Sequence, residues 1–138
     1  MVKHRVYVGL ILLALLLTGC SGKRPEITQQ MVDFAKDVIS GYDHVIEADA
    51  VIKDDVISLA IITSYAISEE YAKQLGDNFV RAMGAGAAIY NKKLNGPAAD
   101  SYGGVYKHYT VHIGIYNVAE EDVAVGTMAK GASRIRWQ

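Results

Sequence analysis

Apolar residues recur at two different periods along this chain, and each change of period marks a new element. Between Thr28 and Ser40, the residues Met31, Phe34, Ala35, Val38 and Ile39 fall three and four apart. This spacing predicts a helix that buries one stripe, with Thr28 as its N-cap and Gly41 as its stop. Over residues 43–52 the period drops to two. Ile46, Ala48, Ala50 and Ile52 then share one face while Glu47 and Asp49 take the other, the pattern of a half-buried strand. A polar turn, Lys53-Asp54-Asp55, precedes a second strand from Val56 to Ala66, rich in β-branched residues, with Ile57, Leu59, Ile61 and Tyr65 on one face. Two such runs joined by a short polar turn predict an antiparallel hairpin.

Ser68 followed by Glu69 and Glu70 starts a second helix, because the hydroxyl caps free amides and the carboxylates suit the positive end of the helix dipole. Tyr71, Leu75, Phe79, Ala82 and Met83 line one face of it. The run Gly84-Ala85-Gly86-Ala87-Ala88 either ends this helix or lets it pass very close to another backbone, since interior glycine costs about 1 kcal/mol relative to alanine. Residues 91–104, with Asn95-Gly96-Pro97 and Gly103-Gly104, read as a loop and as the segment expected to move most. Val105 to Asn117 reads as one strand, with Val105, Tyr109, Val111, Ile113 and Ile115 facing one way and Tyr106, His108, His112 and Tyr116 the other. Glu120, Glu121 and Asp122 read as the start of a short helix through Met128, and Arg134 to Trp137 as a terminal strand. The expected fold is α+β in the order α-β-β-α-β-(α): a small antiparallel sheet of three or four strands, covered by two or three helices.

Composition limits the chain to one such domain. It has 138 residues, 51% hydrophobic and 21% charged, which is enough for one core and too little for two. Its single cysteine, Cys20, excludes an internal disulfide and a cysteine-based zinc site. Ahead of it lie Lys3, His4 and Arg5 and then an uncharged apolar run from Val6 to Leu17. A helix of that length reaches only about 18 Å against a hydrocarbon core of about 30 Å, which marks a signal-peptide core rather than a membrane span.

The run ends in Leu17-Thr18-Gly19-Cys20, which resembles the lipobox of bacterial lipoproteins. The resemblance implies a diacylglyceryl group on the Cys20 thiol, cleavage between Gly19 and Cys20, and acylation of the new amino terminus. The chain then divides into a signal peptide (1–19), a lipidated cysteine with a short tether (20–27) and a single folded domain (28–138). Two or three acyl chains hold a protein on a bilayer stably where one is marginal. By the same resemblance, Ser21 after the cysteine directs the product to the outer membrane of a diderm host; a monoderm host would hold it on the outer face of its only membrane.

Losing Lys3 and Arg5 with the leader takes the net charge from −1 to −3. Such a weakly acidic product lacks the basic surface that nucleic-acid binding needs. The tether from Ser21 to Pro25 spans at most about 17 Å. The domain is therefore expected beside the membrane, with Lys23 and Arg24 near anionic headgroups.

Candidate chemistry in the folded part is sparse. His108 and His112, four apart on a strand, sit about 13 Å apart and cannot share an ion. A metal site would need His44 beside one of them, with Asp43 or Glu47, and no metal or other cofactor is expected. Gly-x-Ser-x-Gly and His-Glu-x-x-His are absent, and lipidation consumes the thiol. The glycine-alanine run follows a helix rather than a strand, so it lacks the geometry of a dinucleotide loop. The acidic pairs fall in turns and at helix starts.

Tyrosine is the feature left over. Tyr106, His108, His112 and Tyr116 form a candidate binding face, since tyrosine supplies contact area at low entropic cost; the plain alternative is that a helix covers that face. The expected function is a membrane-anchored, non-enzymatic module of the bacterial envelope. It would bind a protein partner or small ligand through the sheet and the 91–104 loop. The alternatives are a structural subunit pairing through a strand edge, and a metal-assisted enzyme.

Overall fold

The computed structural model describes residues 23–138. The signal segment, the lipobox and Cys20 lie outside the described residues. Two helices cover one side of a five-stranded sheet, in the order α1 (Gln29–Ser40), β1 (Val45–Lys53), β2 (Val56–Thr63), α2 (Glu69–Tyr90), β3 (Thr110–Asn117), β4 (Asp122–Met128) and β5 (Arg136–Trp137). The strands lie side by side in chain order. All pairs are antiparallel except β2 and β3, which run parallel across the α2 crossover. The expected α+β class is what forms.

Local chemistry accounts for most boundaries. Thr28 caps α1 in a capping box with Met31, and Ser68 accepts from the Tyr71 amide at the head of α2. α2 then runs unbroken through Gly84 and Gly86 because each lies where another backbone approaches. A Cβ on Gly84 would sit 1.9 Å from the Tyr102 carbonyl oxygen, and one on Gly86 3.0 Å from that of Met31 in α1. The glycines thus let α2 pack closely on the loop and on α1.

The core lies between the helices and one sheet face. Ile57, Leu59 and Ile61 of β2 and Val111, Ile113 and Ile115 of β3 meet Leu75, Phe79, Val80 and Met83 of α2 and Met31, Ala35 and Ile39 of α1. Thr63 is the buried polar residue among them, and its hydroxyl donates to the Tyr116 carbonyl at 3.2 Å.

Four expectations are corrected. Residues 122–128 form β4 rather than a helix. Asn117 accepts from the Ala119 and Glu121 amides, and Glu120 takes a positive φ of 62°, so the acidic run is a hairpin turn. Beyond it, Ala124, Gly126 and Met128 alternate inward against β3. A bulge between Val45 and Glu47 extrudes Ile46, which is 58% exposed, and Tyr65 lies past the end of β2, 67% exposed. β3 starts at Thr110 instead of Val105, because Gly104–Lys107 close into a 3₁₀ turn after Gly103, whose φ is 125°. The 91–104 loop is tied down by hydrogen bonds: Arg81 Nη1 donates to the Ala98 carbonyl at 3.0 Å, and the Gly104 amide donates to Asn95 within the loop at 2.8 Å.

The topology gives the domain two unlike ends. β1 and β4 finish, and β2, β3 and β5 begin, at the end where the described chain enters; there Tyr109 donates to the Pro25 carbonyl at 2.5 Å, and Arg24 lies over its ring at 5.6 Å. α2 finishes at this end too, since it packs antiparallel to α1. At the far end lie His44, Tyr71 and the β3–β4 turn, with Tyr71 donating to the Asp43 carbonyl at 2.9 Å.

Candidate functional site

None of the described elements covers the sheet face turned away from the helices, and its relief follows from the register. At mid-sheet the pairing aligns Asp49 of β1, Ala60 of β2, Gly114 of β3 and Val125 of β4 in one row. The two central strands therefore carry their smallest side chains side by side. The result is a trough of about 480 Å³. Ser58, His112 and Thr127 form the next row towards the chain-entry end, Tyr116 stands in the row beyond Gly114, and Val51 and Gln138 complete the rim.

Gly114 makes room for its neighbour. A Cβ there would fall 2.2 Å from the Tyr116 hydroxyl, so the tyrosine ring lies back along its own strand over the glycine. His112 Nδ1 and the Thr127 hydroxyl lie 3.3 Å apart. Asp49 is held at the sheet edge, 3.5 Å from Lys36 Nζ, and also accepts from the Ala50 amide at 2.8 Å. That inward use of an edge amide, with the bulge and the charges of Glu47, Asp49 and Lys53, blunts β1 as a template for strand pairing. The lining is mostly apolar, with a few hydroxyls, an imidazole and a carboxylate. Among the described residues no carboxylate orients His112, and no group of three His, Cys, Asp or Glu side chains is placed to hold a metal ion.

The structure divides the sequence-derived candidates. His112 and Tyr116 stand together on the open face. Tyr106 lies in the core, 3% exposed, with its hydroxyl donating to the Val80 carbonyl at 2.5 Å. Its burial among apolar groups pushes its ionisation far up. His108 sits in the turn that caps the 3₁₀ segment. His44, at the opposite end of the sheet from His108, contacts Ser64 Oγ at 2.9 Å, so the three histidines do not converge. The 91–104 loop packs on α2 in the helical layer and shares no residue with the trough.

Sequence reasoning missed Ser58, Ala60, Val125 and Thr127, the partners that pairing brings in. One signal was present: a glycine inside a β-branched strand marks a close approach or a gap.

A second polar cluster holds the helical layer. Arg81 pairs with Asp77 at 3.0 Å and stacks on the Tyr102 ring at 4.6 Å, while the Tyr102 hydroxyl donates to the other Asp77 oxygen. Burial, then the bond to the Asp77 carboxylate, pushes the Tyr102 phenol up to about 12. This triad clamps the loop to the helix.

No protein-family model matches the chain, and no curated protein matches it. Among solved structures it is similar to one described as the crystal structure of a sex pheromone staph-cAM373 precursor. The TM-score is 0.45 with 13% identity, over 83% of this chain and 41% of that one, so this chain spans less than half of that protein's length.

Proposed function

We propose that this protein is a lipid-anchored component of the bacterial envelope that binds a partner protein or small ligand in the trough of its open sheet face, without catalysing a reaction. The observation that carries the binding reading is the trough itself, floored by Ala60 and by the Tyr116 ring lying over Gly114, with His112 beside it. A sheet face left bare by both helices, hollowed by small residues and edged by hydrogen-bonding side chains, suits a ligand that is mostly apolar with a few polar groups. The anchoring reading is supported by the lipobox at Leu17–Cys20. Pairing through a strand edge is less favoured, because β1 carries a bulge and charges and β5 is only two residues long.

The test is site-specific photo-crosslinking in intact cells, with a benzophenone side chain at Val125 in the trough or at Gln74 on α2. A discrete adduct from position 125, absent from position 74 and lost when Tyr116→Ala is added, is the expected result. Identical adducts from both positions, or none from position 125, would overturn the binding reading. Mass spectrometry of Cys20 tests the anchor separately, and a bare thiol with the leader attached would overturn it.

A further inference from the structure

Charge is sorted along the strand direction in a way the sequence order hides. At the chain-entry end, the end of β1 presents Lys53, the 3₁₀ turn Lys107, and the β4–β5 connection Lys130 and Arg134; Lys92 and Lys93 follow the end of α2. All six are exposed, and Lys23 and Arg24 of the entering chain join them. Among the described residues, the acidic ones towards this end are Glu26, Asp33, Asp54, Asp55 and Asp100, of which Asp55 is engaged by Lys130 at 2.6 Å. The opposite end reverses the sign. Asp43 and Glu47, the pair Glu69 and Glu70, and the run Glu120 to Asp122 gather there, against Lys73 alone among the described residues, which pairs with Glu69 at 2.6 Å. A chain of net charge −1 thus carries one basic pole and one acidic pole.

We infer that the basic pole, built from the end of β1, the 3₁₀ turn, the β4–β5 connection and the end of α2, docks on anionic phospholipid headgroups and stands the sheet upright on the bilayer. Two observations on different parts of the molecule coincide. The basic side chains come from segments far apart in sequence, and they surround the point where the chain leads back to residues 1–22. Docking there satisfies the lysines and places the acidic pole farthest from a negative surface. The strands then run along the membrane normal, and the trough opens sideways, clear of the lipid. Each basic residue brought to an anionic surface raises partitioning about fivefold at low ionic strength, and the gain fades within a Debye length of about 10 Å in 0.1 M salt. A tether of a few residues keeps the pole inside that range.

The inference rests on the anchoring reading, and its test separates the two. The full chain is reconstituted into phosphatidylcholine vesicles, with and without phosphatidylglycerol, and its lysines are acetylated at less than one label per chain and mapped by mass spectrometry. In phosphatidylglycerol vesicles, Lys92, Lys107 and Lys130 are expected to react several-fold more slowly than in pure phosphatidylcholine. The protection should vanish in 0.5 M salt, while Lys73 reacts equally in all three. A chain that stays with the vesicles yet shows the same lysine reactivities in both lipids overturns the docking, as does equal protection in both, which would mean contact indifferent to headgroup charge. Chain released from the vesicles altogether overturns the anchoring reading instead.

Discussion

Replacing Gly84 with alanine sets helix propensity directly against packing. In an unencumbered helix the change stabilises by about 1 kcal/mol. In this fold the new methyl carbon would lie 1.9 Å from the Tyr102 carbonyl oxygen and 3.3 Å from the Tyr106 ring. Reaching a normal contact of roughly 3.5 Å requires the loop backbone to retreat by roughly 1.5 Å. A carbonyl cannot swing aside as a side chain can. The retreat strains the bond from Arg81 to Ala98, the Tyr102–Asp77 bond and the Gly104–Asn95 bond together. Overpacking costs typically 1–3 kcal/mol and the partial weakening of the three hydrogen bonds adds about 2 kcal/mol together, so after the helix gain of about 1 kcal/mol the net loss should be about 2–4 kcal/mol. Urea unfolding followed by the fluorescence of Trp137 measures it; with a slope of about 1–3 kcal/mol per molar, the midpoint falls by roughly 1–2 M. Gly86→Ala is the control. Its methyl group would meet the Met31 carbonyl and the Phe34 ring at 3.0 Å, where small shifts suffice, so its loss should stay below about 1 kcal/mol. A Gly84→Ala protein as stable as the parent, or less affected than Gly86→Ala, refutes the close-approach account.

Three further outcomes follow from the same contacts. Tyr102 ionises at about 12 in the folded chain against 10 unfolded, so its contribution to stability is intact below pH 10 and is lost as pH rises towards 12. Tyr102→Phe should lower stability at pH 7 by about 1–2 kcal/mol and make it fall less steeply with pH over that window, both read from urea midpoints. The Lys130 ammonium, by its hydrogen bond and then its charge, holds the Asp55 carboxyl below the usual range, so this contribution is present above the unfolded pKa and disappears as pH falls through the folded one. A carbon-detected NMR titration should find the Asp55 midpoint low, and Lys130→Gln should return it towards 3.8. Trp137 packs against Gly76 and Gly126, where Cβ atoms would fall 2.5 and 2.8 Å from its ring. Trp137→Ala should cost about 2–3 kcal/mol, measured by calorimetry, and a variant that unfolds at the parental temperature would show that β5 is dispensable.

The residues by themselves determined the elements whose signals are local. Thr28 and Ser68 cap their helices wherever the chain goes, because a hydroxyl satisfies amides within its own first turn. The alternation of Ile57, Leu59 and Ile61, and of Val111, Ile113 and Ile115, needs only one buried face to select a strand. The α+β class follows from those signals. His112 and Tyr116 were legible as face-mates for the same reason.

Tertiary contacts decided the rest. Residues 122–128 become a strand because β3 offers a ladder and Asn117 ties the turn, which outweighs an acidic run suited to a helix start. Tyr106 leaves the expected strand face because the 3₁₀ turn swings it inward, where its hydroxyl reaches a helix carbonyl that chain spacing does not locate. The trough exists only through pairing, since Ala60 and Gly114 lie 54 positions apart and hollow the sheet only when a parallel register sets them side by side. Charge sorting has the same origin. A lysine ending β1, one before β3 and one after β4 come to one pole because strand direction, which no single segment encodes, brings those ends together.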